Sequence, residues 1–272
     1  LYRLGDGRLL FFWCNTTPLP ELPTANGVWD DVFTNRDAVH AAISDDDGRT
    51  WKGFRELLLN PERNARIFGD TRVGEDKSVH QVQAVEVAPG KVLVAVGQHR
   101  KCRRMLLFDV DWLYEPGRSC DFSDGLTDWS AFRYYKGIAG HCCYNRQEEP
   151  ILVQHPDRPG AKLLQLGYTP NDSLVQDNDG AVWNFPASPD GAVSLRIQLP
   201  AQAATVNLVL NDRWFNPTDT VARYECMYKL PLTRKQLRIN DDKWHEVTVL
   251  WRKNRPATLK VDGRKRGTLP LV

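Results

Sequence analysis

Ser44-Asp45-Asp46-Asp47-Gly48-Arg49-Thr50-Trp51 fits the pattern S-x-D-x-G-x-T-W at every specified position. Each specified residue has a mechanical reason to stand where it does. The Asp46 carboxylate accepts backbone N–H groups inside a tight turn, Gly48 supplies a position with φ > 0, and Trp51 lays its ring between sheets. Although three acids stand in a row, Asp46 is therefore read as a structural residue.

Short apolar runs flank this turn, separated by Gly, Asp, Asn and Pro, and helical periodicity is scarce. Residues 2–4, 8–14, 38–44 and 50–59 read as four successive strands, and residues 81–87, 91–97 and 105–110 as a second set. Each set opens with a strand, a tight turn (Asp6-Gly7 or Pro89-Gly90) and a strongly apolar strand. Two partial copies of an antiparallel unit of about 40 residues thus follow one another, which suggests propeller blades.

The rhythm breaks over residues 111–125, where Glu115-Pro116-Gly117-Arg118-Ser119 reads as a polar link between domains. Beyond it, strands are expected at 162–167, 181–185, 192–199, 205–210, 224–230, 236–239, 245–251 and 258–261. Many short alternating strands without intervening helices read as a two-sheet sandwich.

Composition sets outer limits. At 272 residues with 42% hydrophobic and 10% aromatic side chains, the chain can bury two cores. The 36 basic and 34 acidic residues intermix to a formal charge of +2, so no stripe points to nucleic acid and weakly charged partners are expected. No apolar run of membrane-spanning length and no secretory leader pattern is present in this sequence. The chain begins at Leu1, in what reads as a strand end running into a turn, and is expected to be a piece of a longer protein. Six cysteines (14, 102, 120, 142, 143, 226) are widely spaced without a C-x-x-C pair, which gives a zinc site little support. Buried free thiols are favoured over a single long-range disulfide, and neither a metal nor a cofactor is expected.

The octapeptide and the two strand sets over residues 1–112 resemble the sialidase and BNR-repeat (Asp-box) β-propeller superfamily, with only the last blades present. The resemblance implies that the turn lies on a blade rim between third and fourth strands. It also implies a glycan pocket on the opposite rim, near the starts of innermost strands and the loops joining second to third strands. That selects Asn15, Arg36 and Asp37 around the long loop after Cys14, His80 and Gln81 at the start of the second set, and His99 and Arg100 after the strand 91–97. Arg100 is the candidate for gripping a substrate carboxylate, because guanidinium is a two-pronged donor. His80 is the candidate acid or base. Gln81 stands where the family places a glutamate, and an amide takes up no proton, so the match to working sialidases is incomplete there. Tyr144 lies beyond the link, in a segment whose residues 121–129 read as the first strand of a sandwich, and is not assigned as nucleophile.

Lys243-Trp244-His245-Glu246-Val247 through Trp251, with Val261-Asp262-Gly263, resembles the concanavalin-like and laminin-G-like jelly rolls over residues 119–272. Asp212, Arg213, Trp214 and Phe215 share one loop whose residue types suit two roles equally: stacking on and hydrogen-bonding a sugar ring, or anchoring a loop over the sandwich edge through Trp214. Asp177-Asn178-Asp179-Gly180 has half the spacing of a calcium loop but lacks the downstream glutamate, and reads as a plain turn. The expected whole is all-β: a partial sialidase-like propeller followed by a two-sheet jelly-roll sandwich. The expected protein is a secreted, periplasmic or surface glycoside hydrolase acting on a terminal sugar. The alternative is a carbohydrate-binding protein that keeps the pocket without the chemistry.

Overall fold

A computed structural model describes residues 1–14, 38–59, 79–97, 103–138, 144–146, 151–166, 179–202, 206–211 and 226–271. The fold is all-β, as the alternation of apolar residues predicts, and it divides into two compact units. The first is Leu1–Ala187 and the second comprises the described residues from Ser188 onward.

In the first unit, β1 (Tyr2–Arg3), β2 (Leu9–Trp13), β3 (Ala38–Ser44) and β4 (Lys52–Leu59) form an antiparallel meander in chain order. The turn from β1 to β2 closes through Gly7, whose φ of 95° most other residues resist. The Asp-box octapeptide joins β3 to β4. A second meander follows, of β5 (Gln83–Ala88), β6 (Lys91–Val96) and β7 (Arg104–Asp109), turning between its first two strands at Gly90 with φ of 72°.

Side chains alternate across a strand, so each sheet has two faces. Val39, Ala41 and Ile43 of β3 and Val92, Val94 and Val96 of β6 share one buried cluster with Leu4, Leu10, Val79, Val110 and Leu113. The two sheets therefore pack face to face. Glu86 ties them at the edge, with Oε2 accepting from Gly5 N at 2.6 Å and Oε1 from Gly90 N at 2.9 Å. Its own N–H donates to the Tyr2 hydroxyl at 2.9 Å. Every residue of β3 is buried, because its other face is covered as well: Ala38 packs with Leu59 and Val182.

After β7 a short 3-10 helix (Val110–Tyr114) is capped by Asp109, which accepts from Asp111 N at 3.1 Å. The rest of the first unit holds β8 (Trp129–Ile138), flanked by β9 (Tyr144–Arg146) and β12 (Asp179–Trp183), and the hairpin β10 (Ile151–Gln154) with β11 (Lys162–Gln165).

The second unit is built on the four-stranded order β13-β16-β17-β18, with β13 (Gly191–Gln198), β16 (Trp244–Arg252), β17 (Arg255–Val261) and β18 (Arg264–Leu269). A pair, β14 (Val206–Leu210) and β15 (Tyr228–Leu232), accompanies it. Val247, Val249, Leu259 and Val261 share a core with Tyr228, Leu230, Leu232 and Leu237. Gly191 lies directly beneath the Trp251 ring, where a Cβ would sit 2.4 Å from a ring carbon, so no larger residue fits without moving the indole.

Three local expectations are corrected. Residues 236–239 are not a strand, since α1 (Arg234–Leu237) occupies the segment. Thr233 caps it by accepting from Gln236 N at 3.1 Å, and Arg238 ends it in the left-handed region, so end chemistry prevails over the apolar alternation. The stretch from Asp121 does not open a strand either. Asp121 accepts from Ser123 N at 2.9 Å and Gly125 takes φ of 72°, so the chain turns until Trp129. Asp179 and Gly180 begin β12 instead of completing a turn, while Asp177 and Asn178 lie outside the described residues.

Candidate functional site

The strands of the first unit give it two chemically different ends. At one end the Asp box is closed by its own side chains. Asp46 Oδ1 accepts from Ser44 Oγ and Thr50 N, both at 2.8 Å, and Oδ2 accepts from Thr50 Oγ1 at 2.6 Å. Gly48 N donates to Ser44 Oγ at 2.8 Å, and Trp51 Nε1 donates to Gly48 O at 3.1 Å. The Thr50 hydroxyl above all, then its N–H and Ser44, hold the Asp46 pKa down to about 2. An aspartate so stabilised as the anion is a poor proton donor or acceptor near neutrality.

Around this turn the charges are already matched. Asp45 accepts from the Tyr114 hydroxyl and pairs with Lys52 at 2.9 Å, while Arg8 bonds Asp6 at 2.7 Å and reaches Tyr114 at 3.3 Å. Asp46→Ala is expected to lower the melting temperature of the chain and leave any activity per folded molecule unchanged. Thermal melts beside an activity assay check this, and an unshifted melt would contradict the structural role.

The opposite end gathers chain segments that are distant in sequence. β2 finishes at Trp13, the thiol of the following Cys14 approaches Val79 O at 3.9 Å, and β3 starts there at Ala38. His80 O accepts from Gly97 N at 2.8 Å, which joins the approach to β5 with the exit from β6. His80 is half-buried. Gln81 is exposed and holds φ of 57°, so it precedes β5 rather than sitting on it, and the strand expected from Gln81 starts instead at Gln83. Left-handed backbone at a residue with a Cβ stores about 1 kcal/mol, and such positions concentrate where a side chain is being presented. Gln81→Gly is expected to raise stability by up to about 1 kcal/mol while weakening binding at this end, measured by urea titration beside ligand titration.

Of the other expected site residues, Asn15, Arg36, Asp37, His99, Arg100, Asp212, Arg213 and Trp214 lie outside the described residues. Cys14 beside Asn15, Ala38 beside Asp37, and Gly97 two residues before His99 stand at the His80 end. Tyr144 opens β9, paired with Ile138. Among the described residues no disulfide joins Cys14, Cys120 or Cys226.

No protein-family model matches this chain, and no curated protein does.

Three further features lie outside the expected site. Trp129 and Trp183 face each other across β8 and β12 at 5.7 Å and nearly parallel. Phe122 lies 5.3 Å from Trp129, tilted by 36°, and Arg118 lies over Trp183 at 5.5 Å while pairing with Asp128 at 2.7 Å. The rings thus pack on one another, which suits a structural stack. A shallow depression of about 350 Å³ between Leu57, Leu106, Phe108 and Trp112 has Asp109 as its one charged lining residue and no donor array. Basic residues outnumber acidic ones over 188–272, and the reverse holds over 1–187. Arg252 and Lys253 stand at one end of β17 and Arg264 and Lys265 at the other, so they form no continuous stripe.

Proposed function

We propose that residues 1–112 belong to a sialidase-like β-propeller and that the protein is a glycoside hydrolase removing a terminal sugar from a glycan, with residues 119–272 as a jelly-roll accessory module. The observation that carries this reading is the Asp box. Its Ser, Asp, Gly, Thr and Trp all perform the turn chemistry expected of them, between the third and fourth strands of a four-stranded meander.

The outer faces of the two stacked sheets support it further. Phe11 and Phe54 on one side, and Val85, Val87, Met105 and Leu107 on the other, are between 37% and 68% exposed. Apolar surface on both outer faces suits a ring in which every sheet has a neighbour on each side. Hydrolysis would run through an oxocarbenium-like transition state, with the glycan seated at the His80 end. Secretion or surface display accords with a glycan substrate. A panel of aryl glycosides and aryl sialosides tests the reading: release of phenol from one of them supports it, and no turnover on any removes hydrolysis.

Gln81 favours a second reading, a glycan-binding protein without chemistry, because an exposed amide binds a hydroxyl but does not take its proton. Retention on a glycan without product release would select it.

A further inference from the structure

His245 begins β16 with a carboxylate on each ring nitrogen. Nδ1 is 2.8 Å from Asp262 Oδ2, and Nε2 is 2.8 Å from Asp241 Oδ1. A carboxylate only accepts, and a neutral imidazole carries a single N–H. Both contacts are satisfied together only by the doubly protonated ring.

The two acids are not held alike. Asp262 sits in the tight turn from β17 to β18, where its Oδ1 accepts from Glu246 N at 3.0 Å and its N–H donates to Glu246 O at 2.9 Å. Asp241 lies in the irregular segment ahead of β16 and has one further bond, from Lys243 N at 3.2 Å. Its neighbour Asp242 is pinned separately, its carboxylate by Arg234 and its carbonyl by Gln198 Nε2 at 2.6 Å. The other charges nearby are Lys243 and Glu246 on the chain beside His245, and Arg266, which acts on Asp262. The Asp262 bond foremost, against partial burial and with help from Asp241, raises the His245 pKa above its ordinary value.

We infer that His245 is a proton-operated latch, joining the β17–β18 turn through Asp262 to the segment ahead of β16 through Asp241. The imidazolium closes both contacts. When it ionises, the proton leaves Nε2 for solvent, Nδ1–H stays on the better-anchored Asp262, and the Nε2 lone pair then faces the Asp241 carboxylate. Asp241 swings away while Asp242 remains fixed. A group whose folded pKa is raised contributes its stability in full below the unfolded value of 6.5, and that stability is lost as pH rises through the folded value.

The test is a ring-nitrogen NMR titration of the full chain, with His245→Gln identifying the signals. Below pH 6.5 both nitrogens are expected to be protonated, with a midpoint above 6.5. Asp241→Asn is expected to lower the midpoint by about one pH unit, and Asp262→Asn by more. The melting temperature of the wild type should decline above pH 6.5, where that of His245→Gln stays flat. A midpoint at or below 6.5, an unprotonated ring nitrogen below it, or no response to Asp241→Asn would overturn the latch.

Discussion

Acidifying the protein from pH 6.5 to 4.5 is expected to remove about 2–3 kcal/mol of its stability, through His40 alone. His40 lies in the middle of β3 with none of its surface exposed, registered between Trp13 on β2 and Glu56 on β4, its ring 5.7 Å from that of Trp13. Burial pulls its pKa from 6.5 down to about 3. Between those values the unfolded chain binds a proton that the folded chain refuses, so stability falls by about 1.4 kcal/mol for each unit of acidification. Against the roughly 5–15 kcal/mol that holds a typical domain together, this is a large share.

The other described groups with a resolved shift act outside this window or at its edge. Asp6, Asp45 and Asp46 have pKa values below the usual carboxylate value of 3.8 and act under more acid conditions, and His245 acts above 6.5. Urea midpoints followed by tryptophan fluorescence across this range should shift steadily in the wild type. His40→Leu, which has no proton to take up, should flatten the slope. A wild-type midpoint constant from pH 6.5 to 4.5 would contradict the assignment.

Arg55→Ala is expected to destabilise the first unit by about 3 kcal/mol. Its side chain is 5% exposed, donates to Trp112 O at 2.6 Å and to Glu115 at 3.1 Å, and lies 4.1 Å from the Trp112 ring centroid. Truncation leaves the Trp112 carbonyl with only the longer bond from Glu115 N at 3.3 Å and opens a void under the 3-10 helix. Glu115 is 59% exposed and returns to water, which keeps the loss below that of a fully buried ion pair. Arg55→Met restores packing but not the hydrogen bonds and should recover part of the loss. Denaturation midpoints of the three proteins give the order, and an alanine variant indistinguishable from wild type would refute it.

What the sequence made legible follows the range of the forces involved. The Asp box is closed by bonds spanning at most four residues, so its geometry could be written down from Ser44, Asp46, Gly48, Thr50 and Trp51 before any coordinates. Strands such as β2, β3, β6 and β16 are also plain, the first three as near-continuous apolar runs and β16 through its alternating Val247, Val249 and Trp251. Where a cap competes with alternation, as at Thr233 ahead of α1, the local bond decided, and the strand pattern misled. The His245 latch depends on Asp262, which only strand register brings to its side. The Trp129–Trp183 stack and the grip of Arg55 on Trp112 join residues more than fifty positions apart, and no spacing rule announces them. At the His80 end the histidine and Gln81 were picked from a resemblance, and the left-handed backbone of Gln81 could not be foreseen, since glutamine has no preference for it.

The central claim, a glycan seated at the His80 end of the first unit, is tested most directly by binding to an array of glycans differing in their terminal sugar, for wild type and Gln81→Ala side by side. Wild type is expected to be retained by glycans sharing one terminal sugar, and Gln81→Ala to lose about tenfold or more in affinity with no fall in melting temperature. Wild type retained by no glycan, or the two proteins retained equally, would contradict it.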